Sequence, residues 1–391
     1  MSPPSTHISN TSIFGDFINM SWNPTEPFNE LPSFPSAEEL ETPRVLKQCI
    51  RSRTALAELN QSAEFLPNKE LLINIMPLLE ARASSEIENI VTTSDALFRS
   101  AVMEKSPDPA TKEALSYRQS LYAGYLSIQD RPITTATAEE ICSTIKQQEM
   151  HVRKVPGTTL KNGHSGETIY TPPAGEHIIR DHLTTWENFI HQQSELDPLV
   201  IMAAAHYQFE AIHPFTDGNG RTGRVINILL LVSQGLLKSP ILYLSRGIIR
   251  RRSEYYQKLI QVTKDQAWEE WILYMLEVIE ESARWTFQKI HDIRVLHEKT
   301  KEEIKEKHSN IYSSELVDVL FNQPYCRIHD LVEAGIAKRQ AASTYLKQLV
   351  STGMLSEEKV GREKIFIHHR FLALLLDESD SLSGNDNHHV S

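Results

Sequence analysis

The chain has 391 residues, 40% of them hydrophobic and 23% charged, the balance of a soluble globular protein with room for two or three domains. A net charge of -11 argues against nucleic-acid binding along the whole chain and leaves room for only a small basic module. Cys49, Cys142 and Cys326 stand far apart, so neither a disulfide framework nor a metal-binding spacing follows; with no signal pattern and no apolar run of membrane-spanning length, a cytoplasmic protein without a membrane partner is expected.

Residues 1–40, rich in Ser, Pro and Asn, read as a flexible surface arm. A helical segment follows over 41–125, where "LLINIMPLLEARASSEIENIV" has apolar residues at i, i+3, i+4 spacing and Pro77 should start or kink a helix. Residues 126–300 read as a second, larger helical unit. Its helical pattern breaks at "VRKVPGTTLKNGHSGETIYTPPAGEHI" (152–178), whose Gly, Pro and β-branched residues predict a hairpin or flap. "LVIMAAAHYQFEAI" (199–212) predicts an apolar helix that runs into "FEAIHPFTDGNGRTGR" (209–224). Trp268, Trp271 and Trp285 sit at helical spacing and read as core. Residues 301–375 predict three helices and a β-hairpin turning at Gly361, a winged-helix arrangement, and 376–391 a disordered tail. His368-His369 and His388-His389 read as solvent-exposed.

The stretch 209–224 contains G-x-G-x-x-G, but a helix precedes its first glycine where a dinucleotide fold needs a strand, and no acid follows until Glu254. No G-K-[ST] follows either, which excludes a Walker loop. A direct reading fits better. The loop ends one helix and starts another near Gly220 or Arg221, whose N-terminal amides make an anion site. Arg221 and Arg224 (i, i+3) face the same anion, Asp217 offers a hard oxygen ligand for Mg²⁺ or Mn²⁺, and His213 accepts a proton near neutral pH. Together they describe group transfer from a nucleotide. His206, Glu210 and His213 also fall on one helical face, a weaker metal-site pattern, because the loop already explains His213.

His213, Phe215, Asp217, Gly218, Asn219, Gly220, Arg221 and Arg224 match every fixed position of H-x-F-x-[DE]-G-N-G-R-x-x-R, so the chain resembles the Fic family. The resemblance implies a mainly α fold, a Fic helical-bundle core with a β-hairpin flap, followed by the small winged-helix domain. It implies transfer of AMP from ATP to a Ser, Thr or Tyr hydroxyl of a target protein, the chain itself included. His213 would be the base and Asp217 the metal ligand; Pro214, Phe215, Thr216 and Gly218–Arg221 would form the phosphate loop, with Phe215 its core anchor and Arg224 the γ-phosphate partner. Arg250 and Tyr256 would close the adenosine pocket, and Tyr170 and Thr171 would form the flap edge that docks the target by strand addition.

Ser84, Glu88 and Asn89 match [ST]-x-x-x-E-[GN], the inhibitory helix of such proteins, which would pair Glu88 with Arg224. The same glutamate would permit the reverse reaction, removal of AMP. The layout resembles bacterial members with an N-terminal brake, and a homodimer is a further expectation. Lys338–Arg370 holds seven Lys/Arg against three Glu, so the winged helix is read first as a protein-docking or dimerisation module and second as a DNA-binding one.

Overall fold

The computed structural model describes residues 22–64, 70–102, 107–161, 165–192, 195–360 and 363–377. Chain order gives α1 (Ala37–Leu40), α2 (Pro43–Glu64), α3 (Glu70–Ile87), α4 (Ser94–Val102), α5 (Pro109–Ser127) and α6 (Thr135–Lys146). The flap strands β1 (Leu160–Lys161) and β2 (Thr168–Tyr170) pair antiparallel. Then come α7 (Glu176–Gln192), α8 (Pro198–Ile212), α9 (Asn219–Ser233), α10 (Leu244–Arg250), α11 (Arg252–Asp265) and the 40-residue α12 (Trp268–Lys307). The fold is mainly α, with small antiparallel sheets.

Burial of α8 organises the body. Its residues are predominantly apolar, and all but Pro198 and Glu210 are buried. A helix of that composition must be surrounded. Helices α7, α9 and α12 pack on it, and α2 lies along α12. Trp186 of α7 and Trp271 of α12 donate their indole N–H groups to the Ala205 and Ala203 carbonyls at 3.0 and 2.8 Å, so both large rings are buried with their polar atoms satisfied. Trp268 and Trp285 join the core, as their spacing predicts.

Pro77 lies inside α3, where it neither starts nor ends the helix. Of the expected arm, residues 1–21 fall outside the described residues. The next stretch is fastened to the body: the Phe28 N–H donates to Thr171 O (3.0 Å), Thr171 Oγ1 donates to Pro24 O (2.7 Å), and the Phe34 ring stacks on Phe189 at 3.6 Å between centroids.

The C-terminal domain comprises α13 (Ser314–Asn322), β3 (Tyr325–Arg327), α14 (Ile328–Glu333), α15 (Arg339–Ser351), β4 (Ser356–Val360), β5 (Glu363–Ile367) and α16 (His369–Leu376). The three strands order β3-β5-β4, a winged-helix sheet. Gly361, the expected turn, and His388-His389 lie outside the described residues. Strand β3 and helix α16 had no sequence forecast; β3 is three residues long, too short for an alternation to show. His368 is buried, contrary to expectation. It caps α16 by accepting from the Phe371 N–H and packs edge-on against Phe321, while His369 stays exposed. The domain docks on α4. The Arg99 guanidinium donates twice to the Glu358 carboxylate, 2.8 Å each, and lies over the Tyr325 ring, whose hydroxyl bonds Asp95.

Candidate active site

The site forms where α8 ends and α9 begins. His213 caps α8 in the left-handed region (φ 50°), a conformation unusual for a side-chain-bearing residue, so surrounding bonds must hold it. They do: the His213 N–H donates to Phe209 O, and Arg153 donates to the carbonyls of His213 (2.8 Å), Ile212 (3.2 Å) and Pro173 (2.5 Å). The Arg153 N–H takes the Pro214 carbonyl at 2.8 Å. One buried arginine thus ties the His213 loop to the base of the flap. Burial pushes the His213 imidazole down to about 4, partly offset by the Glu88 carboxylate, so it is neutral at pH 7 and able to accept a proton.

The loop is braced from within. Phe215 is fully buried. Asn219, also buried, accepts from the Phe215 N–H (2.7 Å) and donates to the Phe215 carbonyl (2.8 Å). Its side chain therefore faces the loop backbone, and only its main chain is left to meet a phosphate. Gly218 takes φ 83° as the cap of α9. Gly220 has a different reason: a β-carbon there would run into the Glu88 carboxylate and lie 2.9 Å from the Arg224 guanidinium. Pro214 is buried and Thr216 exposed beside Asp217.

Arg224 is buried on the first turns of α9. Its Nε donates to Ser84 Oγ (2.8 Å), and one terminal nitrogen donates to Ser84 O (2.9 Å) and Glu88 Oε1 (2.9 Å). Burial is the largest single effect and would lower its pKa, but Glu88 together with Tyr255, Glu210 and Tyr117 outweighs it and keeps the guanidinium charged. Glu88 is not within the helix, as i, i+4 spacing suggested; it is the first residue past α3. Asn89 follows at φ 62°, and the Ile90 N–H returns to Ser85 O. That left-handed turn suits Asn or Gly and aims Glu88 at Arg224. Asn89 Oδ1 accepts from Arg252 at 3.0 Å.

Asp217 is 59% exposed, with Lys146 Nζ at 2.5 Å and Arg221 at 3.4 Å. Burial would raise its carboxyl pKa, but Lys146, Arg221 and the Gly218 N–H together outweigh that and hold it below the ordinary value. Arg221 is buried and pairs with Glu113, which also accepts from Lys146 at 3.1 Å. An ionised, accessible oxygen ligand at the lip of an amide-lined loop fits a divalent cation shared with a nucleotide.

Between the flap and α11 lies a cavity of about 570 Å³, lined by Glu88, Asn89, Ile169, Tyr207, Glu210 and Tyr256, among others. Tyr256 stands at its wall under the Arg252 guanidinium, 5.8 Å from the ring centroid. Arg250 is exposed at the end of α10 and does not line the cavity; Arg252, one helical turn before Tyr256, does. Strand alternation turns Tyr170 inward, where its hydroxyl donates to Ala211 O (2.9 Å). Thr171 is buried and bonded to residues 24 and 28, so its carbonyl and hydroxyl are occupied; Ile169 is an exposed apolar side chain of the flap. His206 is buried and shares a hydrogen bond with Tyr255 (2.8 Å), and the described residues contain no cluster of three metal-ligating side chains. Sequence reading missed Glu113, Lys146 and Arg153, which reach the loop from 60 or more residues away.

A loop of this pattern, capping one buried helix and opening the next, has the form of the Fic motif. Residues 46–126 match the Fic/DOC family N-terminal region, 132–231 the Fic/DOC family, and 296–371 the protein adenylyltransferase SoFic-like C-terminal domain. The chain belongs to the Fic/DOC family. It is 35% identical over 92 residues to protein adenylyltransferase fic-1 of Caenorhabditis briggsae, covering 23% of this chain and 17% of that protein. It is 35% identical over 164 residues to a probable protein adenylyltransferase of Aquifex aeolicus, covering 40% and 48%. The chain thus spans less than half the length of these relatives. Its fold resembles a Fic family protein from Desulfovibrio desulfuricans, with TM-score 0.53, 16% identity, and coverage of 86% of this chain and 98% of that one.

Proposed function

We propose that the chain is a protein adenylyltransferase that moves AMP from ATP to a hydroxyl of a protein, its own chain included, and that Glu88 restrains it. The observation that carries this reading is the convergence of His213, Asp217 and Arg224 around one amide-lined loop, with a nucleoside-sized cavity beside it.

His213 would take the proton of the attacking hydroxyl. The new bond forms between that oxygen and the α-phosphorus; the bond from the α-phosphorus to the bridging oxygen breaks, and pyrophosphate leaves. The neutral imidazole and its pinned left-handed backbone suit that role. Asp217 would hold Mg²⁺ or Mn²⁺, which supplies charge neutralisation on the phosphates when bound. The N-terminal amides of α9 would meet the phosphates. Arg221 is fixed by Glu113 and helps orient Asp217.

Arg224 is the natural partner of the γ-phosphate, and in this structure Ser84 and Glu88 occupy it. A carboxylate where the γ-phosphate belongs repels it, so ATP in a reactive pose requires Glu88 to leave. The same pair, Glu88 and His213, supports a second reading in which the site removes AMP from its target. Incubation with labelled ATP, Mg²⁺ and the purified protein tests the first reading: Glu88→Gly should label itself, and Glu88→Gly/His213→Ala should not. Equal labelling of the two would sink the assignment of His213.

A further inference from the structure

Lys146 is the last residue of α6 and lies far from the loop in sequence, yet it touches the loop directly. Its Nζ is 2.5 Å from Asp217 Oδ2 and 3.1 Å from Glu113 Oε1. The stem is held as well as the head: a β-carbon on Gly218 would lie 3.4 Å from Lys146 Cδ. The side chain is only 18% exposed. Lys146 and Arg221 face Glu113 and Asp217, so the cluster is two cations against two carboxylates and is neutral without any ligand. We propose that Lys146 holds Asp217 in reserve, so that the site takes a divalent cation together with nucleotide phosphate and not before it.

The argument is one of charge. A divalent ion that reaches Asp217 alone meets an ammonium on one carboxylate oxygen and a guanidinium near the other, and leaves the cluster with two uncompensated positive charges. The phosphate chain of a nucleotide supplies the missing negative charge. When Asp217 is surrendered, Lys146 still has Glu113, so the displaced ammonium is not left unpaired. Lys146 is thus a positioning residue that sets the order of binding.

This rests on the reading of Asp217 as metal ligand, and the test separates the two. Mn²⁺ binding is measured by electron paramagnetic resonance on the full chain, with and without ADP. Wild type should bind Mn²⁺ weakly alone and much more tightly with ADP. K146M, and K146Q as a second neutral variant, should bind Mn²⁺ alone about tenfold more tightly, the weight of one like charge removed beside a ligand. K146R should behave as wild type. If both neutral variants bind Mn²⁺ alone as wild type does while D217N removes binding, the proposal is overturned and the metal reading stands. If D217N leaves Mn²⁺ binding unchanged, the metal reading fails and takes the proposal with it.

Discussion

At the residue scale the site is held by buried arginines paired with less buried carboxylates. Arg224 has three bonds to Ser84 and Glu88. Ser84→Ala removes the Nε partner while leaving Glu88, so it should weaken the brake less than Glu88→Gly; self-labelling rates that rank the other way would contradict the geometry. Asn219 closes the loop through both backbone groups of Phe215. Asn219→Ala leaves a buried N–H and a buried carbonyl unpaired and should cost about 1–3 kcal/mol in urea unfolding, with activity lost as well. The loop residues were legible in the sequence because their spacing is contiguous and few chemistries need all of them. Asn219 was legible as a site residue but not in its orientation, since a motif names a residue and not the direction of its side chain. Arg153 and Lys146 were not legible, because each meets the loop only after the chain has folded back over a long separation.

At the scale of elements, α3 and α8 bring unusual titrating groups into the interior. Glu80 of α3 is fully buried and accepts from the Ser245 N–H and hydroxyl and from the Tyr117 hydroxyl. Burial raises its carboxyl pKa to about 7 and that of Glu210, on α8, to about 8, although Ser245 and Arg224 respectively pull them down. Unfolded, both ionise near 4.5, so their neutral forms favour the fold and that contribution is lost as pH rises through about 7 and 8. His206 and His213, pushed by burial to about 3 and about 4, act in the opposite sense and lower stability as pH falls below 6.5. Above 6.5 only the carboxyls act. The melting temperature should therefore fall between about pH 6.5 and 8.5, and Glu210→Gln should flatten much of that fall; a wild-type profile flat over this range would contradict the burial argument. Periodicity predicted these helices well, yet it could not show that Glu88 lies past the end of α3. The decisive feature there is one left-handed residue, Asn89, which the inhibitory pattern carries as its last position.

At the scale of the whole molecule, the winged-helix domain is joined through the long α12 and fastened back onto α4, the helix that follows Glu88. Arg99→Ala removes both bonds to Glu358 and the stack on Tyr325. For partly exposed groups that is worth about 1 kcal/mol, so hydrogen exchange over residues 314–377 should quicken while the helical body melts unchanged. The docking was not readable in the sequence, because Arg99 and Glu358 are far apart in the chain. The structure brings together the loop between α8 and α9, Ser84 and Glu88 at the end of α3, and the flap strands β1 and β2. The most direct test is intact-mass spectrometry of wild type, Glu88→Gly and Glu88→Gly/His213→Ala after incubation with ATP and Mg²⁺. The account predicts a single added AMP mass that accumulates at least about tenfold faster on Glu88→Gly than on wild type, matching a released barrier of about 1.4 kcal/mol or more, and none on the double variant. Equal adducts on wild type and Glu88→Gly, or an adduct on the double variant, would contradict it.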